Sequence, residues 1–216
     1  MTFHVIIIAC TLSCRKDSCV TLEILFALIL YALASSLTPG PNNLMLLASG
    51  VNFGFKKTLP HMFGVSLGFA FMAVLVGLGI MQVFDTYPVT YLILKVLSVA
   101  YLLFLALKIA RSSAPIGQQQ IKGRPMTFLQ AVMFQWVNPK AWSMALMAIS
   151  VYAPTKSFDA ILFVALVFSA VNFPCIACWA GLGTNIKRRL QAPTSLKRFN
   201  YVMAGLLVTS LYPILI

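Results

Sequence analysis

The sequence predicts an all-α, polytopic membrane protein: six transmembrane helices built as two inverted three-helix repeats, with helices 1 and 4 broken. Three observations predict it. Of 216 residues, 60% are hydrophobic and only 9% charged, with a mean hydropathy of +0.91, far from the composition of a soluble domain. The apolar residues fall into runs of about 20 or more, the length that crosses about 30 Å of hydrocarbon at about 1.5 Å per residue. Two of those runs are interrupted by proline beside asparagine, at Pro39-Gly40-Pro41-Asn42-Asn43 and at Asn138-Pro139-Lys140.

Runs bounded by charge, Pro and Gly place the spans at 22–49, 58–84, 88–110, 126–151, 158–184 and 197–216. They leave no room for a second domain, so 20–216 reads as one transmembrane unit, with repeat 1 over about 22–111 and repeat 2 over about 126–216. The first nineteen residues fit poorly. "VIIIACTL" is too short to span, and Arg15 and Lys16 follow it where a secretory signal would place them before. Val20 directly precedes the first span, which leads us to expect translation to start there on a non-ATG codon, with 1–19 an extension outside the working chain.

The net charge of +12 arises from 16 Lys and Arg against four acids, Asp17, Glu23, Asp85 and Asp159. Lys56 and Lys57 follow span one; Lys108, Arg111, Lys122 and Arg124 surround the loop after span three; Lys187, Arg188, Arg189, Lys197 and Arg198 follow span five. All belong to one side of the membrane. Basic loops stay in the cytoplasm, so both termini are expected outside. The bases read as orientation signals and anionic-lipid contacts; without a soluble arm or domain to present them, a nucleic-acid partner is not expected.

Within span one, Pro39 and Pro41 remove backbone donors and Gly40 weakens the helix further. An orphaned backbone group in hydrocarbon costs several kcal/mol, so such a break persists only inside protein or beside a polar cavity. Pro41 suits a helix start, where free N–H groups and the helix dipole attract anions, and Asn42 and Asn43 add neutral amides. A plain proline kink relieved by packing is the alternative. Span four repeats the theme in "FQWVNPKAW", where Gln135, Asn138, Pro139 and Lys140 cluster. A mid-membrane amine costs at least about 2.5 kcal/mol. Lys140 therefore either meets an anion in a cavity or clamps carbonyls at a helix end. In span five, Asn172 before Pro174 reads as a kink and a secondary candidate.

Several features have plain readings. Cys175 and Cys178 form C-x-x-C without a thioredoxin-like pattern or a second pair for zinc, so they read as small packing residues, and no metal site or cofactor is expected. Gly64 and Gly68 form GxxxG, which serves helix contact within the monomer or in a homo-oligomer. His61 reads as interfacial, and Trp136, Trp142 and Trp179 as packing residues. The chain lacks HExxH and a P-loop, which argues against an enzyme and against ATP-driven transport.

The halves echo one another. "GPNNLMLLAS" lies over "NPKAWSMALMAIS" with Pro41 against Pro139, "VGLG" at 76–79 over "AGLG" at 180–183, and "LK" at 94 over 196, at offsets of 98, 104 and 102. Three spans per repeat insert the copies in opposite senses, the pattern in which substrate sites form at broken helices. With no acidic residue mid-membrane, a small neutral amino acid is the expected substrate, its carboxylate meeting a helix start or Lys140.

These motifs resemble the lysine-exporter superfamily, in particular its homoserine, threonine and cysteine efflux branch, over about residues 22–216. "TPGPNN", "AYLLFLALKIARS" and "FQWVNPKAW" match in order and spacing, and the doubled Asn with "NFPCIACW" is most similar to cysteine and O-acetylserine exporters. The resemblance implies a bacterial inner-membrane secondary exporter of amino acids coupled to the proton gradient, with Pro39, Gly40, Pro41, Asn42, Asn138, Pro139 and Lys140 at motif positions. The chain departs in its N-terminal extension and in having Gln130 and Ala131 where many members carry glycine. The rival readings are a non-transporting membrane assembly protein and a facilitator channel.

Overall fold

The computed structural model describes residues 22–87, 89–112, 124–153, 155, 157–189 and 193–212. The expected extension at 1–19 lies outside them. All regular structure among the described residues is helical. The interruption at Pro39-Gly40 divides the first span into α1 (Leu22–Leu37) and α2 (Pro41–Phe53), bent by 57°. Gly54 then turns the chain at φ 85, a left-handed value that favours glycine, into α3 (Phe55–Gly77). Span two ends at Gly77 rather than at 84. A second left-handed glycine, Gly79 at φ 93, stops it, and a short α4 (Met81–Thr86) follows.

Helix α5 (Val89–Ala110) agrees with its expected bounds, whereas span four is split into α6 (Phe128–Val137) and α7 (Pro139–Tyr152). Between them Asn138 is extended, at φ −96 and ψ 105. The helix α8 (Phe158–Arg189) runs through Pro174 without a break, and α9 (Pro193–Thr209) begins before the expected 197. Three helices are individually long and apolar enough to cross a membrane, within Phe55–Gly77, Val89–Ala110 and Phe158–Lys187; the bent α1–α2 pair makes a fourth. The 10 residues of α6, 14 of α7 and 17 of α9 are too short alone. The protein is a polytopic helical membrane protein.

Small residues set the packing. An added Cβ on Gly50 would strike the Ala180 carbonyl, and one on Gly183 the Leu47 carbonyl, so α2 and α8 cross backbone to backbone. Gly64 and Gly68 press against Phe128, Ala131 and Val132 of α6, which assigns GxxxG to contact within the monomer. Ser66 Oγ donates to the Ser169 carbonyl at 3.1 Å and Ser169 Oγ to the Ser66 carbonyl at 3.2 Å, joining α3 and α8 reciprocally. Beside them the rings of Phe69 and Phe168 lie 4.5 Å apart. In lipid such close fits and internal hydrogen bonds replace the hydrophobic drive between helices. Leu92, Val96 and Phe104 leave much of α5 exposed on the outside of the bundle.

His61, near the start of α3, is only 1% exposed, because its face of the helix turns into the protein. Trp136 and Trp142 do pack, with ring centroids 5.8 Å apart, and Phe84 lies edge-on to Trp142 at 5.2 Å. Cys175 is buried and Cys178 exposed on α8, and neither forms a disulfide. Gln130 has a local role in place of the glycine: with Thr127 it forms the capping box that starts α6.

Candidate functional site

The two helix breaks meet. At the end of α1 the last carbonyls have no helical partners, and two side chains from other segments satisfy them. Lys140 Nζ, in the first turn of α7, donates to Thr38 O at 2.7 Å and to Thr38 Oγ1 at 2.8 Å, with Pro39 O more distant at 3.5 Å. Asn43 Nδ2 donates to Ser36 O at 2.7 Å and Thr38 O at 2.8 Å. Lys140 thus takes the clamp position, its charge facing the negative end of the α1 dipole. Gly40 makes room for it: a Cβ there would lie 2.7 Å from Lys140 Cδ.

A second bridge joins the same segments. Asn42 Nδ2 donates to Gln135 Oε1 at 2.9 Å, and Gln135 Nε2 returns toward Asn42 Oδ1 at 3.5 Å while donating to Ala131 O at 2.8 Å. At the second break Asn138 Oδ1 accepts from Lys140 N at 3.2 Å, and Trp142 Nε1 donates to Trp136 O at 2.9 Å. Trp142 therefore also closes a helix end, a role that packing alone does not express.

Between the breaks lies a cavity of about 20 Å³. Gly40, Asn42, Asn43, Gln135, Asn138, Lys140 and Asn172 line it, so the structure brings together seven of the residues singled out in the sequence. Pro39, Pro41 and Pro139 do not line it; they shape the backbone, Pro41 and Pro139 as the first residues of α2 and α7. The sequence reading missed Ser36, whose buried Oγ lacks a partner and which lines the same cavity. The adjacent pair Ser35-Ser36 in an apolar helix was the available signal. The volume suits a water molecule, not an amino acid; this is a closed arrangement of the polar cluster. Among the described residues no group of three or more His, Cys, Asp or Glu is placed to hold a metal.

Residues 33–211 match the LysE type translocator family. The chain belongs to this family. It is thus a transporter-family protein, not an enzyme. It is 29% identical to the cysteine/O-acetylserine efflux protein of Salmonella paratyphi A over 182 residues, covering 82% of this chain and 90% of that protein. It is also 29% identical to the cysteine/O-acetylserine efflux protein of Escherichia coli over 192 residues, 87% of this chain and 95% of that one. No solved structure matches the chain.

Proposed function

We propose that this translocator is a secondary exporter of small neutral amino acids or their derivatives, of the homoserine, threonine and cysteine type, with cysteine and O-acetylserine as first candidates. The observation that carries the proposal is the convergence of both helix breaks on one polar cavity through Lys140–Thr38 and Asn42–Gln135. The relatives' names point to the same substrate class. In this reading α6 and α7 form one broken span and α9 the sixth. The reciprocal pair Ser66–Ser169, 103 residues apart, falls within the offsets of the sequence echo; contact between equivalent residues is what a pseudo-two-fold axis produces. The two copies then sit inverted in the bacterial inner membrane with both termini outside.

A substrate carboxylate would meet Lys140 Nζ, whose third N–H direction faces only the distant Pro39 oxygen, together with the free amides opening α2. Asn42 would exchange Gln135 for the ligand, so binding and opening the bridge are one event. Rocking of the repeats about the site then releases the substrate outside, driven by proton entry. The engagement of Lys140 and Asn43 in closing α1 equally favours a second reading, an assembly protein whose breaks only shape packing. Cells carrying the chain separate the two. Export gives saturable, stereoselective efflux that disappears with Asn42→Leu at equal membrane level. An assembly role gives no such efflux with either chain.

A further inference from the structure

One side chain on the small central cavity uses none of its hydrogen-bonding capacity. Ser35, Asn42, Asn43, Gln135, Asn138 and Lys140 each bond to the protein there: Ser35 Oγ donates to Tyr31 O at 2.6 Å, and the other five form the carbonyl clamp, the Asn42–Gln135 bridge and the α7 cap. Asn172 is 5% exposed and, among the described residues, has no partner at either amide atom. It differs from the other unpartnered buried groups. Ser36 Oγ and the two His61 nitrogens are wholly covered by protein, whereas the Asn172 amide keeps open surface, and the cavity it lines is where that surface lies.

The fold fixes its position. About one turn before Asn172 on α8, Ser169 is tied reciprocally to Ser66 of α3; about one turn after it, Ile176 is 1% exposed and lines the same cavity. Helix α8 also packs against α1 and α2, which flank the first break. A helix held on several sides presents a side chain more precisely than a loop does. An asparagine here could serve a carbonyl that Pro174 leaves unpaired, but Asn172 makes no such bond. A buried amide without partners is unfavourable, so its presence calls for a ligand atom. The void of about 20 Å³ has room for one water, and opening of the Asn42–Gln135 bridge enlarges the same place. Charge constrains what enters. Among the described residues the lining holds the Lys140 cation and no Asp or Glu, so a carboxylate goes to Lys140 and an ammonium must be met by neutral oxygens. Asn172 Oδ1 is the accessible side-chain oxygen there that is not already bonded.

We infer that Asn172 recognises the α-ammonium of the substrate: once the helix breaks part, Oδ1 accepts one of its N–H groups while Lys140 holds the carboxylate. This rests on the export reading above and extends the site from the two breaks to a third segment, α8. In the closed arrangement a single water serves the amide, and a ligand nitrogen that reproduces its hydrogen bond replaces it without loss. The acceptor is neutral because the α-ammonium is balanced by the substrate's own carboxylate. A second cation, on a lysine-like side chain, would find nothing in the lining to pair with.

The test is the concentration dependence of efflux from proteoliposomes loaded separately with labelled O-acetylserine, cysteine or threonine. Asn172→Leu, close in size and apolar, fits a membrane helix. It is expected to raise KM for the exported substrate about tenfold or more, with kcat within about threefold, the mark of a lost binding contact to a charged group. Asn172→Asp keeps the oxygen and shares its cavity with Lys140, which offsets the new charge; it is expected to hold KM within about threefold of the unaltered chain. A purely structural asparagine predicts the reverse order, since leucine suits an apolar helix and a buried carboxylate does not. An unchanged KM with Asn172→Leu, or Asn172→Asp no better than Asn172→Leu at equal membrane level, overturns the inference while export stands. Absence of efflux of all three amino acids from the unaltered chain overturns the export reading itself, and this inference with it.

Discussion

Lys140 shows how a charged side chain in an apolar span is satisfied from within the protein. Its depth in an apolar span was legible in the sequence, as was the choice between meeting an anion and clamping carbonyls. Its partner was not, because Thr38 comes within 2.8 Å only through the 57° bend and the packing of α7 against α1. Lys140→Met removes charge-assisted bonds worth about 1.5–3 kcal/mol each, and is expected to abolish efflux. Lys140→Arg, whose planar fork cannot follow the same stem over Gly40, is expected to rescue little. Gly40→Ala should give a partial loss, since its Cβ displaces the lysine stem at Cδ without removing the charge. Initial efflux rates at matched protein levels order the three; a Gly40→Ala chain worse than Lys140→Met would contradict the clamp. His61 marks the limit of reading residues one at a time. Its place near the end of span two was visible, but the rotation of α3 that buries it depends on tertiary packing.

For the helices, breaks were easier to read than ends. Pro-Gly-Pro and Asn-Pro both interrupt the backbone where expected, since each removes hydrogen bonds whatever the surroundings. Pro174 does not, because α8 is held on several sides and absorbs one missing bond. The end of α3 was missed since Gly77-Leu78-Gly79 sits in an unbroken apolar run, and only the left-handed Gly79 reveals the turn. Helix contact is where substitutions should tell most. Gly50→Val forces α2 from the Ala180 carbonyl and is expected to cost at least about 1–3 kcal/mol, read as a lower melting temperature in detergent. Unchanged stability would contradict the close crossing. The reciprocal serines should couple: a double-mutant cycle with Ser66→Ala and Ser169→Ala is expected to show about 0.6 kcal/mol or more, and zero coupling would sink the pairing.

At the level of the whole molecule, the fold class followed from composition and run length, while the site required two halves distant in sequence to meet. The echo at offsets of 98 to 104 hinted at this, and the polar cluster between Asn42 and Lys140 realises it as one cavity. A void of about 20 Å³ cannot hold an amino acid, so the proposed transport requires the Asn42–Gln135 bridge to open and close with each cycle. Selective export by the purified chain is therefore the central expectation. The most direct measurement is efflux from proteoliposomes preloaded with a mixture of amino acids, with and without a pH gradient, and with the Lys140→Met chain as control. Loss of one or two small neutral amino acids, faster with the gradient and absent with Lys140→Met, is the expected result. Retention of every amino acid by well-folded protein, or equal loss with Lys140→Met, would contradict it.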